Sequence, residues 1–219
     1  MSIPLHEYRA IITTQADTPQ EVAQFYLFRK RLFVDKCGWD LPFNELGERD
    51  QFDKPYTEYC LVYHEDGLVA GFRAIRTDLP YLGQTIFPQL AGFRPFPRTP
   101  AAWEISRFGV MTSRNERTVA RINYALMFKF AEMRRAASLV AIADLTYERF
   151  LSVLGIKTRR YGPPREIGRN ALGQPLIAVA GEIPLHDQNV LRAAYFAEIS
   201  KNLETTDAAN VFGRSLVSA

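Results

Sequence analysis

The sequence predicts a mixed α/β fold in a single domain, and three observations carry that reading. Helix-type segments with their own start signals alternate along the chain with short β-branched and aromatic runs, instead of falling into separate blocks. No internal repeat or low-complexity tract interrupts the pattern. At 219 residues and 47% hydrophobic, the chain is long enough for one sizeable core, so one domain over residues 1–219 is expected.

The elements follow in order. Thr18-Pro19-Gln20-Glu21 combines a cap residue, a proline at the first helical position and a glutamate at the third, so a helix should run from there to about Val34. Glu58 to Tyr63 and Leu68 to Arg76 flank the turn-forming group His64-Glu65-Asp66-Gly67 and read as a hairpin. The run from Phe87 to Pro100 is dotted with proline and reads as a long connection inside the domain. WEISRFGVM, from Trp103, is a strand, and Ser113-Arg114-Asn115-Glu116 is a second capping box that opens a helix to about Ala137. Ser138 to Ala143 is a compact apolar strand. Thr146 to Leu154 reads as a helix stopped by Gly155; Ile156 to Tyr161 and Pro175 to Ile183 read as extended, and Asp187 to Lys201 as a last helix.

Composition narrows the function classes. A formal net charge of +3 does not by itself call for nucleic acid, while an acidic partner stays open. Cys37 and Cys60 lack metal-ligand spacing, and His6, His64 and His186 lie far from one another, so no metal site and no disulfide framework are expected. The first residues lack a basic start followed by an apolar run, and no window reaches the roughly eighteen apolar residues that span a bilayer. A cytoplasmic protein is expected.

The informative residues are charges on faces that should be buried. Arg29 lies four residues from both Phe25 and Phe33, inside the stripe Val22, Phe25, Tyr26, Leu32 and Phe33. Strand alternation puts Arg73 on a face with Val69, Gly71 and Ile75, and Arg107 on a face with Trp103 and Ile105. Guanidinium groups stay ionised, so burial requires carboxylates, and the sequence supplies Glu104 with the pair Asp50 and Asp53 of ERDQFD. Strict alternation would turn Glu104 and Arg107 to opposite faces unless a bulge intervenes. Singly, each has an ordinary alternative: Arg29 with its head in water, Asp50 and Asp53 as turn residues, Trp39 as a rim aromatic.

Together these residues resemble the acyl-homoserine-lactone synthases, the autoinducer synthases of bacterial quorum sensing. FRKRLFVDKCGW places Arg29, Phe33 and Trp39 at that family's Arg-x-x-x-Phe-x-x-x-x-x-Trp spacing. ERDQFD places Asp50 and Asp53 on its Asp-x-x-Asp, VAGFR places Arg73 on its arginine, and WEISRF places Glu104 and Arg107 on its Glu-x-x-Arg. Four separated segments must agree, which makes the combination specific. The resemblance implies a GNAT-like N-acyltransferase fold, a mixed sheet splayed between two strands with helices on both sides. The glycine-rich pyrophosphate loop of ordinary GNAT enzymes is absent from TSRNERTVA, residues 112–120, which weakens a standard acetyl-CoA reading.

The resemblance also implies a chemistry. The α-amine of S-adenosylmethionine attacks an acyl thioester; its carboxylate then attacks its own γ-carbon and expels methylthioadenosine. S-adenosylmethionine is a consumed substrate, so no cofactor is expected. Glu104 is the candidate general base, Arg29 and Arg107 hold the methionyl carboxylate and the acidic network, and Asp50, Asp53 and Arg73 are supporting charges. Phe33 and Trp39 offer aromatic faces to the sulfonium or adenine. Ala141 and Ile142 are expected in the acyl pocket, where relatives making 3-oxo products often carry Ser or Thr in place of Ala141. The acyl donor is acyl carrier protein or acyl-CoA, docked on a basic face of Arg134, Arg135, Arg149, Lys157, Arg159 and Arg160. Two alternatives stay open: a GNAT-like N-acyltransferase of another amine, and a nucleic-acid- or signal-binding module with no catalysis.

Overall fold

The computed structural model describes residues 3–65, 67–111, 115–170 and 172–210. Its elements are β1 (Tyr8–Thr13), α1 (Pro19–Arg29), β2 (Phe43–Asn44), β3 (Gly47–Glu48), β4 (Glu58–His64), β5 (Gly67–Arg76), α2 (Leu82–Ile86) and β6 (Ala102–Val110). These are followed by α3 (Glu116–Met133), β7 (Ser138–Asp144), α4 (Leu145–Val153), β8 (Arg159–Arg160), β9 (Arg165–Arg169), β10 (Pro175–Pro184), α5 (Val190–Asn202) and β11 (Glu204–Asp207).

The main sheet runs β11-β1-β4-β5-β6-β7-β10-β8, with β9 paired to β10. Pairing is antiparallel except for β1 with β11 and β6 with β7. The β6–β7 ladder registers Ala102 with Ser138, Trp103 with Leu139 and Glu104 with Val140, and no further pair joins them among the described residues. Past Glu104 the two strands part, so the sheet is splayed as the resemblance implies.

Alternation distributes the core. Cys60 and Val62 of β4, Phe72 of β5, and Trp103 and Ile105 of β6 pack with α3 and α5 through Ile122, Leu126, Phe130 and Phe196. On the other face, α1 and the turns that continue it cover Tyr59, Leu61 and Tyr63 with Phe25, Phe28 and Phe33, while the connection carrying α2 covers Ile75 and Val140 with Tyr81, Leu90 and Phe96. The charged residues singled out above sit between these last two clusters.

Several boundaries differ from expectation for physical reasons. Helix α1 ends its regular hydrogen bonding at Arg29 and continues with wider i→i+5 turns over Lys30–Lys36, as in the Cys37 N–H to Leu32 carbonyl bond. The Thr18 hydroxyl meets Thr13 Oγ1 at 2.8 Å instead of capping the helix. Ser113 and Arg114 of the second capping box lie outside the described residues, and α3 stops at Met133, short of Ala137, with Arg135 at φ +50°. Of the extended segment Ile156 to Tyr161, Arg159 and Arg160 form a strand, with the Tyr161 N–H bonding the Ala180 carbonyl just beyond them, and α5 starts at Val190 instead of Asp187, with the Asn189 side chain as its cap. Strand β1 escaped sequence reading because five of its six residues are buried, which erases the alternation that marks a half-buried strand. Val69 falls at an irregularity in the β4–β5 ladder and packs toward α3, away from the face of Arg73.

Candidate active site

The three arginines come together from three elements. Arg29, at the end of α1, and Arg73, in β5, have no exposed surface, and Arg107 of β6 is almost as deeply buried. Arg29 donates from Nε to Glu48 Oε2 at 2.5 Å and from Nη1 to Asp53 Oδ1 at 2.7 Å. Arg73 donates from Nη1 to Asp50 Oδ1 and to Asp53 Oδ1 (3.3 Å), and from Nε to Ser106 Oγ at 3.0 Å. Arg107 spans Glu48 through Nε and Nη2, both at 3.0 Å, and reaches Asp50 Oδ2 at 2.9 Å. Three guanidinium groups thus face three carboxylates, and their formal charges cancel.

Glu48 is the member that sequence reading missed. The acids expected for the three arginines were Glu104, Asp50 and Asp53; the structure uses Glu48 where Glu104 was expected. A signal was present, because Glu48 stands two residues before Asp50 on an extended segment and therefore shares its side. Gly47 makes the placement possible: at φ +112°, a Cβ there would lie 2.3 Å from the Tyr26 backbone, so only glycine lets β3 approach α1 this closely. Burial alone pushes the Glu48 carboxyl up, but the bonds from Arg107 and Arg29 outweigh it and hold it below the usual range. Asp53 behaves likewise: burial raises it, and the charges of Arg29 and Arg73 bring it down to about 2. Burial disfavours the charged Arg29, yet Asp53 and Glu48 keep it more firmly protonated than usual.

A β-bulge places Arg107. Gly71 registers with Gly109 and Arg73 with Ser106, so Phe72 alone opposes both Arg107 and Phe108. Arg107 takes the left-handed conformation, φ +53°, at the inserted position. The expectation that Arg107 shares a face with Trp103 and Ile105 is therefore corrected. Those two pack toward α3, and the extra residue turns Arg107 to the opposite side, where Glu104 also lies. The strain of a positive φ in a non-glycine residue is held by the ion pairs with Glu48 and Asp50.

Glu104 stands beside this network without bonding to an arginine among the described residues. Its Oε1 accepts the Gly83 N–H at 2.7 Å and its Oε2 the Leu82 N–H at 3.0 Å, at the start of α2. Burial pushes its carboxyl up; the two amides and the nearby Arg73 charge oppose the rise, and it comes to about 7. A buried carboxyl poised near neutrality is able to accept a proton from an ammonium group.

The aromatic pair adjoins the charges. Phe33 stacks on Trp39 at 5.0 Å between ring centroids, and Arg107 Cζ lies 6.0 Å from the Phe33 ring. Phe33 is buried, whereas Trp39 is 38% exposed and forms the solvent side of the site. All eight motif positions therefore meet in one region. The two expected acyl-pocket residues do not: Ala141 lines a narrow cleft with Ala143, Leu151, Val179 and Ile183, while Ile142, one residue on, packs on the opposite face beside the α2 cluster. The expected docking face is partly self-paired. Lys157 and Arg159 both bind Asp187, and Arg160 binds Glu148, leaving Arg135 and Arg149 without an ion pair among the described residues. Arg134 is not part of such a face, since it is largely buried and clasps Glu58 and Asp207.

A mixed sheet that opens between β6 and β7, with helices on both faces, is a GNAT-like fold. The chain belongs to the autoinducer synthase family, whose model matches residues 14–192. It is 35% identical over 169 residues to an acyl-homoserine-lactone synthase of Acinetobacter nosocomialis, covering 72% of this chain and 91% of that one. The solved structure of TofI in a ternary complex with an inhibitor and MTA superposes with a TM-score of 0.70 at 28% identity, covering 85% and 96% of the two chains. A CoA-dependent acyl-homoserine lactone synthase, BjaI, solved with SAM and isopentyl-CoA, gives a TM-score of 0.78 over 91% and 93% of the chains; at 19% identity that likeness is one of fold.

Proposed function

We infer that the chain is an acyl-homoserine-lactone synthase, joining S-adenosylmethionine to an acyl thioester and releasing methylthioadenosine. One observation supports this most strongly: eight motif positions from separate segments of a member of the autoinducer synthase family converge on one buried site. Nη2 of Arg29 and Nη2 of Arg73 are buried donors with no hydrogen-bond acceptor among the described residues, which suits a site built to receive a further carboxylate. Arg29 and Arg107 are the groups proposed to hold the methionyl carboxylate, with Asp50, Asp53 and Arg73 fixing them. Phe33 and Trp39 face the sulfonium or adenine, a contact worth about 0.5–2 kcal/mol.

In the first step Glu104, directly or through a water, takes a proton from the α-ammonium group. The freed amine attacks the thioester carbonyl, the carbon–sulfur bond breaks, and the thiol leaves as the amide forms. In the second, a carboxylate oxygen attacks the γ-carbon, the adjoining carbon–sulfur bond breaks, and the sulfonium departs as neutral methylthioadenosine. No second base is needed, because the leaving group carries its positive charge from the start. Ala141 is the residue proposed to line the acyl side, and because it lacks a hydroxyl it favours an unsubstituted or differently substituted chain over a 3-oxo one. The thioester arrives on acyl carrier protein or CoA, guided by the basic surface around Arg149, Lys157, Arg159 and Arg160. Among the described residues no helix is long and apolar enough to cross a membrane.

Incubating the protein with S-adenosylmethionine and a panel of acyl carrier protein and CoA thioesters, with products weighed by mass spectrometry, tests the reading. Expected are an N-acyl homoserine lactone and one methylthioadenosine per lactone. An amide product on another amine, or no lactone with any donor, would overturn it.

A further inference from the structure

We propose that Leu82 and Gly83 are positioning residues whose backbone N–H groups hold Glu104 in the orientation and charge state in which it accepts the substrate's proton. This rests on Glu104 acting as the base, as proposed above. It begins from a local anomaly: the Tyr81 side chain, at the position where a helix cap belongs, makes no capping bond, and the first-turn amides of Leu82 and Gly83 are taken by a carboxylate 22 and 21 residues further along the chain.

The segment is built to stay in place. Tyr81 is wholly buried, its hydroxyl donates to the Pro97 carbonyl at 2.8 Å, and its ring meets Phe96 edge-on at 6.1 Å. A Cβ on Gly83 would lie 3.3 Å from both Glu104 Oε1 and the Phe96 ring, so glycine permits the short 2.7 Å bond. Each carboxylate oxygen gives one lone pair to an amide and keeps the other for a proton. The charged and titratable groups facing Glu104 are Arg73 of β5, Asp50 of the loop before β4 and Tyr81 itself, while β7 opposes it with the apolar Val140. None of these bonds to the Glu104 carboxylate, which leaves the two amides as the groups that aim it.

Leu82→Pro is the discriminating variant. Proline fits the first helical position, and Tyr81 before it already has the extended conformation, φ −137° and ψ 165°, that a residue preceding proline adopts. The substitution removes one N–H from Glu104, and Leu82→Ala controls for the lost side chain. Losing a bond to the charged form should move the acid limb of kcat/KM upward by about one pH unit in Leu82→Pro and leave it in place in Leu82→Ala. In the unaltered enzyme the Gly83 amide resonance, followed by NMR from about pH 5 to about pH 9, should titrate with the same midpoint as the rate, and should stop titrating in Glu104→Gln. Superimposable profiles for the two Leu82 variants, or a Gly83 resonance that ignores pH, would overturn the assignment; the NMR measurement decides if Leu82→Pro does not fold. Near-normal turnover by Glu104→Gln would instead overturn the base reading, a separate failure from a silent Gly83.

Discussion

Replacing Glu104 by Gln should change stability in a way that depends on pH, and the size of the change follows from the burial of the carboxyl. In the fold it titrates at about 7, against 4.5 for an ordinary glutamate. The folded state therefore binds the proton more tightly than the unfolded state, so this group favours folding least at high pH. Its stabilising effect is fully present below about 4.5 and is lost as pH rises through about 7. The full separation corresponds to about 3 kcal/mol, most of which falls between about pH 5 and about pH 8.5. Gln adds a fixed cost of about 1–3 kcal/mol, because its single carbonyl oxygen serves only one of the Leu82 and Gly83 amides, but that cost is the same at both pH values. Urea unfolding of both proteins at about pH 5 and about pH 8.5 isolates the pH-dependent part. The variant should gain about 2–3 kcal/mol relative to the parent on going to the higher pH. A difference that stays constant would mean that Glu104 is ionised without penalty, and the argument for a base poised near neutrality would fail with it. In the same protein, acyl transfer should fall by roughly 10²–10⁴-fold.

Asp53→Asn should show the opposite dependence. Held at about 2 by Arg29 and Arg73, the parent carboxylate contributes stability above its ordinary value near 3.8 and loses it as pH falls through about 2. The variant should be less stable near neutrality and close the gap by about 2 kcal/mol in acid, as read by unfolding between about pH 5 and about pH 2. Arg29→Met leaves Glu48 and Asp53 short of their buried partner and should cost about 3–5 kcal/mol in urea unfolding, with part of the loss recovered when Glu48→Gln is added. At Arg107 the bulge reverses the usual strand ranking: Arg107→Gly should be more stable than Arg107→Ala by about 1 kcal/mol, since φ +53° suits glycine, while both variants bind S-adenosylmethionine more weakly in calorimetry.

Sequence reading reached the long elements and the charged positions by ordinary signals. The apolar stripe around Arg29 marked a helix with a guanidinium on its buried side, and the turn at residues 64–67 marked the β4–β5 hairpin. It failed where the signal is not local. Strand β1 is buried on both sides, and β11, which pairs in parallel with it from almost two hundred residues away, is wholly polar, so neither shows an apolar–polar alternation in the sequence. Glu48 was passed over because its one signal, the two-residue spacing from Asp50, does not by itself tell a buried carboxylate from an exposed one.

The order and chemistry of the residues were legible in the chain by itself: inward arginines demand carboxylates, and WEISRF, ERDQFD, VAGFR and FRKRLFVDKCGW carry the family pattern. Only the tertiary structure decided which acid meets which arginine. One inserted residue in β6 turns Arg107 toward Glu48 and Asp50, and the close approach of β3 to α1 brings Glu48 to Arg29, so Glu104 is left to the amides of α2 and stays near neutrality. The physical reason is that a carboxyl's titration depends on burial and on the donors within a few ångströms of it, and those donors are set by strand register and loop placement, which neighbouring residues in the chain do not encode.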